Sequence, residues 1–425
     1  MRVRRILERC LYDRADSFAS ALLAGNISQF STDHLEEIVG KDLNSELALA
    51  RAKERDPLWL AAVIREILGS SSSAIQKYLR ELADAYTLLA FLRQTPDVQA
   101  AVTKMFSHGE IWLDTSVILP LLVEELIDDG SGPFRRIYRA AHQAGIRFFV
   151  TGGVIEEIDR HIHRAITCSR IAASWQGRMP YLLEAFLQLG GELPSFPKWT
   201  QDFRGLARPI EDIFEFLLER FNVERADLES DADSASQEFR FAVQEYWIRV
   251  HTRRRENRGA AVEPMVVNRL SRHDTENYVG VIQRRRQERP SPFGYSAWWL
   301  TLDRSAAVLR DGIKHSLSQN APDSPVISLD FLAQYLTFGP ARARVAKHAG
   351  TLPVFFIPRL VGALTRELIE EASLVRAEMK NLPERVIRRR VRDHLDQQRR
   401  KSGPLTSRGL GASIDALVES TEPEP

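Results

Sequence analysis

Apolar residues recur at helical spacing throughout residues 1–105. The first run is Val3, Ile6, Leu7, Cys10 and Leu11, and the segments 58–68 and 78–92 repeat its spacing. Glycine and serine clusters separate these runs, as they commonly do at helix ends. The pattern predicts a helical N-terminal domain over residues 1–105. Because this segment shows no catalytic constellation, we expect it to serve in self-association or in binding a protein partner.

Beyond residue 105 the pattern changes to short, continuous apolar runs that alternate with amphipathic helices. The runs are 111–113, 148–150, 297–302 and 326–329. Continuous apolar runs are typical of parallel strands buried on both faces, and their alternation with helices predicts an α/β fold. We therefore predict a parallel sheet flanked by helices over residues 106–345, interrupted by a mostly helical insertion at 168–267.

The insertion and the C-terminal part carry further patterns. Helical spacing covers residues 175–189 and 210–221, whereas the acidic stretch 224–238 predicts a solvated loop. Residues 346–401 read as a helical and increasingly basic C-terminal extension. Gly, Ser, Pro and Glu dominate residues 402–425, which predicts a disordered tail.

Charge and cysteine content narrow the class of protein. The chain of 425 residues has 58 Lys and Arg against 57 Asp and Glu, a net charge of +1. This balance excludes a histone-like polycation, so nucleic-acid binding would need local basic patches. The two cysteines, Cys10 and Cys168, exclude a disulfide framework and suit a reducing compartment. No run approaches the roughly 20 apolar residues of a membrane span, and charges interrupt the N-terminal apolar positions, so we predict a cytoplasmic protein without membrane association.

Acidic residues follow the predicted strands, where open α/β sheets bind their ligands. Asp114 closes the first apolar run and Asp303 closes a later one. Glu157 lies one turn into the helix after the second run, and Asp274 lies in the opening turn of a helix predicted to begin near Ser271. Crowded carboxylates repel one another unless a cation neutralises them. Oxygen ligands without cysteine favour Mg²⁺ or Mn²⁺ over zinc, so the pattern predicts a divalent metal site.

Each of these acids stands in a short sequence context, and the contexts follow one another in order. They are Leu113-Asp114-Thr115-Ser116, Ile155-Glu156-Glu157-Ile158, His273-Asp274-Thr275-Glu276 and Thr301-Leu302-Asp303-Arg304. In order and context the acids resemble those of the PIN-domain nuclease family. The resemblance covers residues 108–167 and 268–338. The link between the second and third acid is longer than in compact members of that family, which is where the insertion is predicted.

The resemblance implies a PIN-like fold and a metal-dependent endonuclease. The residues that it places at the catalytic and metal-binding site are Asp114, Glu157, Asp274 and Asp303. Bound Mg²⁺ or Mn²⁺ would activate a water for attack on the phosphodiester and leave a 5′-phosphate and a 3′-hydroxyl. RNA is favoured over DNA as the substrate because most resembling proteins cut RNA. Candidate donors that orient the carboxylates or the phosphate are Thr115, Ser116 and Asn277.

Alternatives remain open for several of these residues. Asp303 could be a helix N-cap, and Asp274 could belong to a capping box that starts at Ser271. Glu156 competes with Glu157, and only one of the two can face the site because neighbouring residues on a helix point about 100 degrees apart. Thr115, Ser116 and Asn277 could be ordinary caps or helix surface. Glu157 with His161, at i, i+4 spacing, could bind zinc, but a solvated surface pair is favoured.

Two arginine runs are candidate nucleic-acid contacts near the site. They are Arg253, Arg254 and Arg255 in the insertion, and Arg284, Arg285 and Arg286 at the end of the helix that carries Asp274. Arginine contacts to phosphate supply affinity without sequence selectivity. A solvated charged face is the alternative for both runs. The alternative for the whole protein is a catalytically inactive nucleic-acid-binding or protein-interaction scaffold with the same fold, and the presence of all four acids favours the enzyme.

Overall fold

A computed structural model describes most of the chain. The described residues are 2–24, 64, 67, 72–94, 109–126, 132–171, 179–257, 262–286, 297–317, 320–338, 352 and 366–401. The predicted tail at 402–425 lies outside the described residues, as does much of the predicted N-terminal domain.

Five parallel strands form one sheet. They are β1 (Gly109–Leu113), β2 (Ile146–Val150), β3 (Val223–Arg225), β4 (Ala297–Leu300) and β5 (Val326–Ile327). Their order across the sheet is β3-β2-β1-β4-β5, and every neighbouring pair is parallel. Strands β2 and β3 therefore lie on one side of β1, and β4 and β5 lie on the other side. This reversal of the strand order opens a crevice at the carboxyl ends of β1 and β4, where ligands bind in folds of this class.

The predicted α/β class is confirmed, and four of the strands lie where apolar runs predicted them. The helices of the sheet domain are α3 (Thr115–Val123), α4 (Pro133–Gln143), α5 (Gly152–Arg170), α11 (Pro264–Arg286), α12 (Arg304–Ile313) and α13 (Leu329–Phe338). The N-terminal and C-terminal helices are α1 (Arg2–Ala24), α2 (Ser73–Gln94), α14 (Arg366–Glu378) and α15 (Glu384–Lys401). The position of α15 agrees with the basic helix predicted in the C-terminal extension.

Side chains from the two faces of the sheet build two separate cores. Ile111 and Trp298 belong to the core on one face, whereas Trp112 and Trp299 belong to the core on the other. The alternation follows from the strand period of two. All four side chains are at most 2% exposed, and burial of a large apolar side chain contributes about 1.5–3 kcal/mol each.

The N-terminal helices α1 and α2 share one of these cores with the sheet. Phe18 on α1 contacts Phe331 on α13 with ring centroids 5.2 Å apart. The buried Arg14 lies 3.6 Å from Asp330, and Gln334 donates to Thr87 on α2 at 2.9 Å. The predicted boundary at residue 105 therefore separates segments of the chain that nevertheless pack into a common core.

The segment predicted as a helical insertion also contributes to the sheet. Its helices are α6 (Tyr181–Gln188), α7 (Phe196–Arg204), α8 (Pro209–Phe221), α9 (Glu229–Asp233) and α10 (Gln237–Asn257), with short 3-10 turns at Leu193–Ser195 here and at Glu124–Leu126 after α3. The acidic side chains Asp227, Glu229 and Asp233 are exposed, as predicted, but the prediction of a loop over residues 224–238 is wrong. Strand β3 and helix α9 occupy much of that stretch, because Val223 and Leu228 are fully buried and anchor it to the sheet domain.

None of the described helices is both long enough and apolar enough to cross a membrane.

Candidate active site

Asp114 lies where β1 ends and α3 begins. Its carboxylate caps α3, accepting from the Ser116 backbone N–H at 3.3 Å, and also accepts from Thr301 Oγ1 at 2.8 Å and from Ser116 Oγ. The Ser116 hydroxyl in turn accepts from the backbone N–H of Leu302 at 3.0 Å. Only 9% of Asp114 is exposed. Hydroxyl and amide groups from both sides of the β1–β4 crevice therefore fix the orientation of this carboxylate.

Glu157 reaches the same region from α5. Thr115 Oγ1 donates to its Oε2 at 2.9 Å, and His161 Nε2 lies 3.9 Å from its Oε1. Glu156 instead points to solvent and pairs with Arg160 at 3.6 Å. The preference for Glu157 over Glu156 agrees with these positions. The interpretation of Glu157 and His161 as a solvated surface pair is wrong, because both side chains are largely buried.

Asp274 lies in the middle of α11, which begins at Pro264. The predicted helix start near Ser271 is therefore wrong, and Asp274 has no capping role. His251 on α10 contacts Asp274, with Nε2 2.7 Å from Oδ2. Asn277 lies one turn further along α11 and is 2% exposed, which places it inside the fold rather than on the helix surface.

Asp303 follows β4 and caps α12. Its Oδ1 accepts from the Ser305 backbone N–H at 2.8 Å, which confirms the predicted N-cap. The same oxygen accepts from Arg254 Nη2 at 2.6 Å, and Arg254 also donates to Ser305 Oγ at 2.9 Å. The capping role and the ion pair therefore coexist on one carboxylate.

Like charges link the four acids electrostatically. Burial raises the pKa of Asp114 to about 7, with further contributions from the negative charges of Glu157 and Asp274 that outweigh hydrogen bonds from its hydroxyl partners. Burial also raises the pKa of Asp274 to about 6 against the opposing effect of His251, and Glu157 and Asp303 add to that rise. Buried carboxyl groups that raise one another's pKa are typical of functional sites.

The other two acids keep their charge through internal partners. Burial tends to raise the pKa of Glu157, but His161 and Thr115 outweigh it and the pKa lies below its usual value. Burial likewise acts on Asp303, but the charge and hydrogen bond of Arg254 lower the pKa of that carboxyl. Two acids are therefore driven toward protonation while their two neighbours stay ionised, an arrangement that a bound cation would relieve.

The donor chemistry of the site fits a hard divalent ion, since four carboxylates supply oxygen ligands. Its side-chain positions fit less well. Within the described residues, no three His, Cys, Asp or Glu side chains lie close enough together to hold a metal ion. Three of the acids are instead paired with cationic or imidazole groups of the chain itself: Asp303 with Arg254, Asp274 with His251 and Glu157 with His161.

The run Arg253 to Arg255 does not form one basic surface. Arg253 points to solvent, Arg254 reaches Asp303, and Arg255 is 1% exposed. His251 is a partner of the acids that was not predicted from the sequence. The spacing of His251 and Arg254 on one helix face was the available signal, but the sequence alone does not show which face of α10 meets the sheet.

The second arginine run lies at the opposite edge of the sheet from the acids. Arg284 donates to Glu110 at 2.7 Å, near the start of β1. Arg285 is buried, donates to the Ala297 carbonyl at 2.6 Å and lies over the Trp298 ring at 4.1 Å from its centroid. The expectation that this run lies near the site is wrong for both residues. Arg286 ends α11 at the same edge.

A cleft of about 1070 Å³ lies between the start of α5, helix α11 and the segment from Arg225 to Glu229, and none of the four acids lines it. The basic residues that line it are Arg225, Arg269, Arg272 and His273, and its acidic residues include Asp227 and Glu276. The glycines at the start of α5 form another wall, and at Gly153 an added Cβ would lie 2.8 Å from the His273 ring. Sequence analysis missed the basic residues of this cleft because they are scattered over two elements.

Comparison with family models, with curated proteins and with solved structures finds no match to this chain in any of the three. The resemblance to PIN-domain nucleases therefore rests on the four sequence contexts, and any function has to be argued from the site.

Proposed function

We propose that this chain is a metal-dependent nuclease that hydrolyses phosphodiester bonds of nucleic acid, with RNA favoured over DNA. The observation that carries the proposal is that the negative charges of Glu157 and Asp274 act on the buried carboxyl of Asp114, which follows β1. Repulsion among buried carboxylates destabilises the fold, and a divalent cation is the ligand that removes it. The sequence contexts of the acids independently point to the PIN-domain nucleases.

The residues that would hold the ion are Asp114, Glu157 and Asp274. When bound, Mg²⁺ or Mn²⁺ would polarise the scissile phosphate and lower the pKa of an attacking water. Thr115 orients Glu157 through its hydrogen bond, and Thr301 and Ser116 orient Asp114. These hydroxyls can hold the carboxylates in place without neutralising them, which preserves their negative charge for a cation.

The cleft at the start of α5 is the proposed path of the nucleic acid. Arg269 and His273 lie on the same helix as Asp274, and Arg225 ends β3. Positive side chains here would contact backbone phosphates, which gives affinity without sequence selectivity. Asp227 on the same lining would repel phosphates, whereas burial raises the pKa of Glu276 to about 7 and reduces its charge.

Cleavage assays test this function directly. We expect the full chain to cut RNA with Mg²⁺ or Mn²⁺ and to be inactive with EDTA. Asp114→Asn and Glu157→Gln should each lower the rate by about a hundredfold or more, since each removes charge from the proposed ion site. Glu219→Gln is the matched control, because it is the same chemical change at an exposed position of α8 that does not line the cleft. Equal losses in Glu219→Gln and Glu157→Gln would count against the site.

The scaffold alternative draws on one observation, the lack of a ready-formed metal group within the described residues. It predicts no metal-dependent cleavage of RNA or single-stranded DNA. It also predicts that the acid variants change the binding of a partner while wild type leaves both nucleic acids intact. That combination of results would replace the nuclease with the scaffold.

A further inference from the structure

A second, smaller cavity lies beside the cleft, where α9, α10 and α11 meet. Its volume is about 290 Å³, and it shares Glu229, Gln244, Arg272 and Glu276 with the lining of the cleft. The two cavities therefore adjoin one another on the same surface. Because α9 and α10 belong to the predicted insertion, the smaller cavity lies partly outside the region that the family resemblance covers.

One wall of this smaller cavity, called here the Phe241 cavity, is an exposed aromatic ring. Phe241 is 54% exposed and lies on the face of α10 that also presents Gln237 and Gln244 to the cavity. Thr275 of α11 lines it as well and is only 8% exposed, so the cavity reaches into the fold. Single exposed apolar side chains are common at protein surfaces. Phe241 differs from them because its ring borders a recess in which a flat ligand can stack on it.

Polar side chains accompany the ring. The side-chain amides of Gln237 and Gln244 can each donate and accept hydrogen bonds, which matches the mixed donors and acceptors on the edge of a nucleobase. Arg240 also lines the cavity and pairs with Asp233 at 2.8 Å, with side chains 41% and 58% exposed. An ion pair this exposed can open at small cost. An aromatic face accompanied by hydrogen-bonding side chains is a common way for proteins to hold an unpaired base.

The neighbouring cleft supplies positive charge for the backbone of a strand. Arg225 and Arg269 are exposed and line the cleft, and neither forms an ion pair with another of the described residues. Arg272, on the border of the two cavities, pairs with Glu229 on the surface. Because arginine contacts with phosphate supply affinity, a strand in the cleft would place its phosphates on Arg225 and Arg269. A base of the same strand can then turn toward Phe241.

We propose that the Phe241 cavity binds one unpaired base of a nucleic-acid strand that lies in the cleft. This inference rests on the proposed action on nucleic acid and specifies a subsite for it. A base within a duplex is paired and stacked, so it cannot reach the ring unless it leaves the helix. The cavity therefore favours a single strand. Since every base has a face that can stack, Phe241 supplies affinity with little sequence selectivity.

The test is fluorescence anisotropy of the full chain in EDTA, with a single-stranded RNA and with a duplex RNA of the same sequence. Wild type should bind the single strand more tightly. Phe241→Ala should lower the affinity for the single strand by at least about fivefold and leave the affinity for the duplex unchanged. Phe241→Trp should retain the wild-type affinity, because it keeps an aromatic face. Phe241→Leu keeps an apolar side chain without a ring and should behave like Phe241→Ala.

Two further measurements locate the base. Tyr78→Ala is the matched control, since it removes a ring that is 52% exposed on α2 and lines neither cavity, and it should bind RNA like wild type. Irradiation of a complex with 5-iodouridine-substituted RNA should attach the strand to Phe241, as mapped by mass spectrometry. Attachment only to residues outside the Phe241 cavity would contradict the proposal.

The outcomes separate this inference from the nuclease proposal. Equal single-strand affinities of wild type and of Phe241→Ala that is folded by circular dichroism would overturn the base subsite and leave the cleavage assays unaffected. Loss of single-strand binding in Phe241→Ala, together with a wild type that cuts nothing in Mg²⁺ or Mn²⁺, would keep the subsite and remove the nuclease. Displacement of the strand by an equal concentration of a mononucleotide would overturn the inference, because it would show a site for free nucleotides.

Discussion

Ionisation of a buried carboxyl group whose partners are neutral hydroxyls destabilises the folded state. Asp114 is such a group. Its folded pKa of about 7 lies above the ordinary value of 3.8. Over this range the folded state binds more protons than the unfolded state, so metal-free stability should fall as pH rises from about 4 to about 7. Asp274 acts in the same direction, with a pKa of about 6.

Asp114→Asn should therefore stabilise the metal-free protein at high pH. We expect a gain of up to about 4 kcal/mol in the free energy of unfolding above pH 7, shrinking toward zero near pH 4. Urea denaturation in EDTA at several pH values measures this difference. Added Mn²⁺ should raise the Tm of wild type more than that of the variant, because the variant lacks a proposed ligand.

Asp303→Asn should change the free energy of unfolding in the opposite direction. Because Arg254 lowers the pKa of Asp303, its ionised form stabilises the fold above the ordinary pKa, and this contribution is lost as pH falls. The variant should be destabilised at neutral pH by about 3–5 kcal/mol, since it leaves the largely buried Arg254 without its carboxylate. A stability gain in both Asp→Asn variants would show that the two acids do not differ as the structure indicates.

At the scale of elements, the close approach of α5 to α11 holds Glu157 near Asp274. Gly153 makes that approach possible because it has no Cβ to meet the His273 ring. Asp303 and Asp114 reach the site differently, as N-caps of the helices that follow β4 and β1. The site therefore depends on helix packing for one pair of acids and on strand pairing for the other.

Gly153→Ala should separate these helices. Its Cβ would lie 2.8 Å from the ring of His273, so we expect the free energy of unfolding to fall by about 1–3 kcal/mol. We also expect weaker Mn²⁺ binding. Gly152→Ala is the control, since its Cβ would meet only the tip of Arg225 at 3.4 Å. Chemical denaturation and Mn²⁺ titration measure both effects, and equal behaviour of the two variants would exclude this role for Gly153.

For the whole molecule, the distribution of arginines distinguishes structural from ligand-binding charge. Arg284 and Arg285 form internal contacts at the amino ends of the strands, whereas Arg269 and Arg272 line the cleft at the start of α5. Arg272 pairs with Glu229 on the surface, with both side chains more than half exposed, so that pair can exchange for a phosphate at small cost.

Alanine variants should separate these roles. Arg269→Ala and Arg272→Ala should each weaken nucleic-acid binding and reduce the slope of log affinity against log salt by about 1. Arg284→Ala should leave the slope unchanged. Fluorescence anisotropy over a range of salt concentrations with single-stranded RNA measures the slopes, and a change confined to Arg284→Ala would relocate the nucleic-acid surface to the other edge of the sheet.

The common core of α1 and the sheet gives a second prediction at this scale. Arg14→Ala removes the guanidinium beside the buried Asp330 and should cost about 3–5 kcal/mol. Arg208 is exposed and pairs with Asp212, so Arg208→Ala should lower the free energy of unfolding by less than about 1 kcal/mol. Denaturant unfolding measures both, and an Arg14→Ala variant that loses helix α1 in a separate early transition would show that α1 is not integral to the core.

Elements with a local signal in the sequence could be predicted without a structure. Apolar runs at 111–113, 148–150, 297–302 and 326–329 predicted β1, β2, β4 and β5, because strands buried on both faces need consecutive apolar side chains. Asp114 and Asp303 were found for the same reason, since each directly follows such a run. Strand β3 escaped detection because only Val223 of its three residues is buried, which leaves no continuous apolar run.

Which charged side chains contact one another depends on how distant elements pack. Neighbouring residues on a helix point about 100 degrees apart, so the register of α10 against the sheet turns Arg253 outward, brings Arg254 to Asp303 and buries Arg255. The placement of Arg284 and Arg285 at the far edge likewise follows from the length and start of α11, which no local signal fixed. Composition supplied the charges, but the packing of distant elements determined whether each one balances a carboxylate, anchors a core or faces the cleft.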